Sequence, residues 1–162
     1  MAVAVLDTSQ VKGEVCFYSK KGGVLVECIF TRLPPGHHGF HIHKAGDLRG
    51  EGCKGACDHW HRGKPTQHGG PPTHKGARHT GDLGNLRMPE DKEVLKTEYF
   101  LKHVSIEELY GRSVIIHEDE DDYGKGPHED SKTTGHSGAR IACAVIGRME
   151  GCSMKTRKRN TK

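Results

Sequence analysis

No apolar run in this 162-residue chain comes near the roughly 20 residues that a membrane-spanning helix needs, and the longest, Gly23 to Phe30, is strand-sized. A membrane protein is therefore excluded. Aromatic residues make up only 6% of the chain, with a single tryptophan, and hydrophobic residues 33%, so the apolar core must be small. The chain also lacks a one-signed charge pattern. Its net charge is +4, and much of that excess falls in the last residues, Lys155, Arg157, Lys158, Arg159 and Lys162. Residues 151–162 read as a basic, solvated and disordered tail, and the rest carries no basic stripe, so no nucleic-acid partner is expected. The first residues, Met1 to Leu6, are apolar but short, without a basic leader or a small-residue cleavage site. The resulting expectation is a cytoplasmic, intracellular protein.

What the chain has instead is glycine, 22 residues of it, spread through long connections. Its length suits one domain, expected over residues 1–150. Val11, Val15 and Phe17 share one face of an extended segment that breaks at Lys20-Lys21-Gly22-Gly23, a hairpin signal. Val24 to Leu33 is a second strand, stopped by Pro34-Pro35-Gly36, and Gly39 to His43 a third short one. Thr97 to Val104, Ser113 to His117 and Ile141 to Ile146 continue the series, with one helical turn expected at Ile106 to Tyr110. Two polar stretches, Lys44 to Asn85 and Glu118 to Arg140, read as long loops. Short strands with no long helix point to an all-β fold, a Greek-key antiparallel β-sandwich or barrel with two long functional loops.

Nine of the 13 histidines lie between His37 and His79, a density that asks for a metal. Spacing carries more weight than count. His41 and His43 are two apart on an extended segment, so both rings project from one face while Ile42 points into the core. His117 ends the apolar run Val114-Ile115-Ile116 and can bring a third imidazole beside them, and a nitrogen-rich set suits Cu(II). His59, His68, His79 and Asp82 form a three-histidine, one-carboxylate set of the kind that closes a tetrahedral zinc site. A structural zinc would also order a polar, glycine-rich loop, because metal binding contributes folding free energy.

These blocks resemble the copper/zinc superoxide dismutases, in their intracellular, eukaryotic form. The resemblance rests on Gly39-Phe40-His41-Ile42-His43, His68-Gly69-Gly70-Pro71 and His79-Thr80-Gly81-Asp82-Leu83-Gly84-Asn85. It continues through His117-Glu118, Asp121-Asp122-Tyr123-Gly124-Lys125-Gly126 and Gly138-Ala139-Arg140-Ile141-Ala142-Cys143, and covers nearly the whole chain up to Gly147. It implies one copper ion, held by His41, His43, His59 and His117, and one zinc ion, held by His59, His68, His79 and Asp82. It further implies that His59 bridges the metals and relays a proton. Arg140 would then attract and orient superoxide, the small anionic substrate, which is dismutated to oxygen and hydrogen peroxide. Asp121 would link His41 to His68, and Cys53 and Cys143 would form a disulfide. A homodimer and a copper chaperone are the partners that the resemblance implies.

Several residues depart from the family pattern. His61 and His74 lie in extra loop material, where either could be a decoy ligand and His74 reads as loop surface, and the lysine of the charged loop, Lys132, is shifted. Ala45 and Arg148 stand at positions where apolar pairing residues are usual, and Cys57 is an extra thiol four residues from Cys53. Two other readings are a metallochaperone domain, which commonly lacks part of the copper site, and a non-enzymatic zinc-stabilised sandwich. A zinc finger from Cys53, Cys57, His59 and His61 fails the usual spacing.

Overall fold

Alternation of apolar and polar residues builds the first sheet. Strand β1 (Ala2–Asp7) buries Ala2, Ala4 and Leu6, and β2 (Lys12–Lys20) buries Val15 and Phe17. Strand β3 (Gly23–Arg32) adds Val24, Val26, Cys28 and Phe30 to the same face. Lys21 and Gly22 close the β2–β3 hairpin, and Gly22 sits at φ 86°, a conformation that strains any residue with a Cβ. The computed structural model describes residues 1–150, so the basic tail expected over 151–162 lies outside the described residues.

The remaining strands are β4 (Gly36–His43), β5 (Asp82–Met88), β6 (Leu95–Lys102), β7 (Ser113–His117), β8 (Arg140–Val145) and β9 (Gly147–Arg148). They make two antiparallel sheets, one ordered β6-β3-β2-β1-β9 and the other β5-β4-β7-β8. The chain passes between sheets after β3, β5, β6 and β8, which gives the Greek-key sandwich expected from the strand pattern. Phe17, Phe30, Phe40, Ile42, Leu86 and Ile116 fill the space between the sheets, all essentially inaccessible to water. Each such side chain contributes about 1.5–3 kcal/mol by burial. Phe30 of one sheet meets Phe40 of the other edge-on, with ring centroids 6.4 Å apart and planes at 88°.

The loop expectations need three corrections. The stretch expected as loop to Asn85 ends earlier, because β5, where no strand was expected, starts at Asp82 and pairs with β4. Its polar and glycine residues hide the strand in sequence; the ladder to β4 supplies what local propensity does not. The first and last strands, β1 and β9, pair with each other at Ala2–Arg148 and were not expected as strands. Two short helical segments, a 3-10 segment (Glu51–Ala56) and α1 (Ser131–Thr134), lie inside the loops. The turn expected at Ile106 to Tyr110 is a 3-10 helix at Ile106–Glu108, capped by Ser105 and Glu108.

Both long loops fold over the outer face of the four-stranded sheet. That cover explains why every residue from Gly39 to His43 is buried although alternate side chains point away from the core. The Cys53–Cys143 disulfide ties the Glu51–Ala56 segment to β8, with the two Cα atoms 6.7 Å apart. Cys16 and Cys28 are buried free thiols, and Cys57 is an exposed one.

Candidate metal centre

The register of β4 brings the site together. His41 lies opposite Ile115 of β7 on one side and Asp82 of β5 on the other. The β4–β5 ladder slips between Gly39 and His41, and the β7–β8 ladder slips between Ile116 and His117. Such bulges re-aim side chains beside functional sites. His117 faces Arg140 across β7 and β8, and His43 makes an isolated antiparallel bridge with His59 from the long loop. Residues 16 to 74 apart in sequence are thereby brought side by side.

Among the described residues, four buried ring nitrogens have no hydrogen-bond partner: Nδ1 of His41 and Nε2 of His43, His59 and His117. These four residues form a cluster whose donor atoms lie within 4.8 Å of one another. A buried nitrogen without a partner is costly, and four converging ones make a site that fits a metal with nitrogen ligands. A second cluster joins His59, His68, His79 and Asp82. Here Asp82 Oδ1 is 2.9 Å from His59 Nδ1, 3.1 Å from His68 Nδ1 and 3.3 Å from His79 Nδ1, with the His59 and His68 Nδ1 atoms 3.2 Å apart. The edge of a tetrahedron around zinc is about 3.3 Å, given zinc–ligand bonds of about 2.0–2.1 Å, so these donors have the spacing that zinc requires. His59 therefore presents one nitrogen to each cluster.

Hydrogen bonds on the far side of each ring decide which nitrogen is free. His41 Nε2–H donates to Asp121 Oδ2 at 2.6 Å, His43 Nδ1–H to the Cys57 carbonyl at 2.7 Å and His117 Nδ1–H to the Gly138 carbonyl at 3.1 Å. His68 Nε2–H donates to Asp121 Oδ1 at 2.8 Å and His79 Nε2–H to the Thr66 carbonyl at 3.1 Å. With one nitrogen committed as a donor, the other keeps its lone pair for the cluster. Asp82 is set in the same way: its Oδ2 accepts from the backbone N–H groups of His79 and Gly69, which leaves Oδ1 to the donor set. Gly135, at φ 74°, packs against the Asp121–His68 contact, where a Cβ would collide with both side chains.

Burial pushes the pKa values of His41 and His43 well below that of a free imidazole, lowers His59 and holds His117 at about 4. These rings are thus neutral and able to ligate at neutral pH. His68 goes the other way: burial lowers it, but its bonds to Asp121 and Asp82 outweigh that and carry it up to about 9. Burial raises Asp82, yet the three histidines around it bring its carboxyl below the usual carboxylate range. Two carboxylates beside His68 leave a local excess of negative charge, which a divalent cation in the second cluster neutralises.

A cleft of about 780 Å³ opens over His43, His59 and His117, with Arg140 on its wall. The Arg140 guanidinium donates from Nη1 to the Cys53 carbonyl at 2.7 Å and from Nη2 to the Cys57 carbonyl at 2.8 Å, which holds it beside the first cluster. All the residues expected at the site are brought together, Asp121 included. His61 and His74 belong to neither cluster. His61 Nδ1 accepts from the Thr80 N–H and its Nε2 donates to the Lys64 carbonyl. Cys53 is consumed by the disulfide, which removes the zinc-finger arrangement altogether. Sequence reasoning missed the Cys57 carbonyl that holds both His43 and Arg140, since no side-chain signal marks a carbonyl.

The family model described as copper/zinc superoxide dismutase (SODC) matches residues 11–146. The extracellular superoxide dismutase [Cu-Zn] of Drosophila melanogaster is 44% identical over 145 residues, 87% of this chain and 78% of that protein. The extracellular superoxide dismutase [Cu-Zn] of Haemonchus contortus is 46% identical over 117 residues, 71% of this chain and 62% of that protein, so the match spans less than two thirds of the latter. A crystal structure of the clock protein EA4 superposes with a TM-score of 0.79 at 38% identity, over 91% of this chain and 94% of that one. The expectation of a cytoplasmic, intracellular protein is overturned, because both of these relatives are named extracellular. That expectation leaned on Met1 to Leu6, of which Ala2 to Leu6 belong to strand β1. Among the described residues no helix is long and apolar enough to cross a membrane. On the match over residues 11–146 and the relatives above, the chain belongs to the copper/zinc superoxide dismutase family, whose cofactors are a copper ion and a zinc ion.

Proposed function

We propose that this chain dismutates superoxide, converting two superoxide anions and two protons to oxygen and hydrogen peroxide. His41 Nδ1 and Nε2 of His43, His59 and His117 are the copper ligands, and His59, His68, His79 and Asp82 are the zinc ligands. The observation that carries this reading is His59, which offers Nε2 to the first cluster and Nδ1 to the second. When bound, copper would supply the one-electron chemistry, and zinc, held by His59, His68, His79 and Asp82, would be redox-inert.

The chain's own residues do the rest. Arg140 draws the anion into the cleft and orients it, its guanidinium held rigid by two carbonyls. His59 takes up and hands over a proton at Nε2, while Nδ1 stays fixed beside Asp82. Asp121 keeps His41 and His68 turned the right way with one carboxylate. Residues 1–150 form the catalytic domain of this reading.

A homodimer belongs to the same reading, supported by the exposure of Met1, Val5 and Val145. Arg148 lies 4.8 Å over the Tyr110 ring of its own chain. Sedimentation of the metal-loaded protein as a monomer at micromolar concentration would remove the dimer.

The central test compares protein loaded with copper and zinc with protein loaded with zinc alone, by the decay of a superoxide pulse. Activity is expected only in the first, and equal activity in both would overturn the assignment. Arg140→Ala is expected to slow superoxide turnover with both metals retained, and an unchanged rate would remove its role.

A further inference from the structure

The cleft carries a charged pair that has no part in holding either metal. Lys44 follows His43 and Asp58 precedes His59, so the antiparallel bridge between those two histidines sets Lys44 and Asp58 side by side. The Lys44 N–H donates to the Asp58 carbonyl at 3.0 Å, and Lys44 Nζ lies 3.2 Å from Asp58 Oδ2. Both side chains line the cleft together with Arg140, and both are solvent-exposed, at 51% and 86%. The other charged side chains on the cleft are Asp130 and Lys132. Asp130 is already engaged by His136 at 2.6 Å.

An unpaired carboxylate at this place would oppose a negatively charged substrate. Asp58 lines the same cleft as Arg140, so without a counter-ion its negative charge would cancel part of the attraction that Arg140 exerts on an anion there. As a stabilising contact, an exposed ion pair is worth little. Its effect on a diffusing anion is another matter, because approach to the cleft responds to the sum of the charges around it.

We infer that Lys44 tunes the electrostatic capture of the anionic substrate: by pairing with Asp58 at the cleft rim it keeps the field of Arg140 open to superoxide. The inference rests on the proposed reaction and adds to it the residue that sets the entry field. Lys44 touches neither cluster, so its contribution is electrostatic and acts before any chemistry.

The test uses metal-loaded protein in four forms: unsubstituted, Lys44→Gln, Asp58→Asn and the double substitution. Superoxide decay gives one readout, and azide affinity, followed by the visible absorption of the bound copper, gives a second that needs no turnover. At low ionic strength Lys44→Gln should lower both by about twofold, the size expected for one unit charge acting across about 10 Å of water. Asp58→Asn should raise both, and the double substitution should return them to the starting values. At about 1 M salt, where the screening length is about 3 Å, the four forms should converge. Equal behaviour of all four at low salt overturns the inference. So does a Lys44→Gln defect that persists at high salt or is not rescued by Asp58→Asn, since either means that Lys44 acts through structure. Absence of superoxide decay in the unsubstituted protein would sink the proposed reaction instead, while the azide series would still report on Lys44.

Discussion

Arg140 and Cys53 are joined twice. The guanidinium donates to the Cys53 carbonyl at 2.7 Å, and Cys143, three residues beyond Arg140, closes the disulfide on the Cys53 side chain. Loop, strand and anion-facing guanidinium are thus coupled through one residue.

Breaking that coupling should cost both stability and substrate capture. Cys53→Ser releases a constraint over a sequence separation of 90 residues. In the chain-entropy model this is worth on the order of 4–5 kcal/mol. Thermal unfolding should shift to a clearly lower midpoint, and a reductant should lower the midpoint of the unsubstituted protein while leaving the variant unmoved. A variant that melts with the parent under oxidising conditions would contradict the assignment.

Asp121 is expected to act on both metals at once. Asp121→Asn leaves one carbonyl oxygen for two N–H donors and turns an amide donor toward one of the rings. Affinity for copper and for zinc should both weaken, by about 10–100-fold each, in competition with a chelator. Weakening of a single metal would show that the bridge from His41 to His68 does not act as a unit.

Histidines of the long loop should separate cleanly. His79→Ala removes a donor that lies 3.3 Å from Asp82 Oδ1 and is expected to lose most zinc affinity. His74→Ala lies outside both clusters and should leave zinc and copper stoichiometry unchanged by elemental analysis. Loss of zinc in His74→Ala would mean that the wrong histidine has been assigned.

Metal-free protein should be least stable in acid. His41, His43, His59 and His117 are held below the ordinary imidazole value by burial, His117 at about 4. The unfolded chain therefore binds protons that the folded chain refuses, and stability is lost as pH falls from about 6.5 toward about 4. His68 is opposite in sign: raised to about 9, it contributes stability below about 6.5 that is lost as pH rises through about 9. The melting midpoint of the metal-free chain should thus fall on both sides of neutrality and more steeply on the acid side, where four rings outnumber one. A midpoint that is flat from pH 4 to 7 would contradict the burial of these rings as neutral groups.

Much of this site was legible before any fold was known. The alternation in His41-Ile42-His43 placed both rings on one face, and Val114-Ile115-Ile116 announced a strand that ends on His117; both hold because side-chain direction along a strand has a period of two. Strand β5 was not legible at all, because Asp82, Gly84, Asn85 and Arg87 interrupt its apolar residues and its extended form depends on β4. Strand β1 was hidden for a different reason: a short apolar start is compatible with many structures until partners lie on both sides of it. Lys132 lines the cleft despite its shifted position in sequence, because α1 and its flanking turns carry it there.

The amino-acid sequence by itself determined the donor chemistry: which imidazoles and which carboxylate are present, how strand periodicity pairs two of them, and that a glycine-rich loop must be held in place. Only the tertiary structure decided which nitrogen of each ring is offered. His43, His117 and His41 are oriented by acceptors 14, 21 and 80 residues away, on Cys57, Gly138 and Asp121. An imidazole has two nitrogens of nearly equal basicity, and the choice between them belongs to whichever distant oxygen takes the other proton.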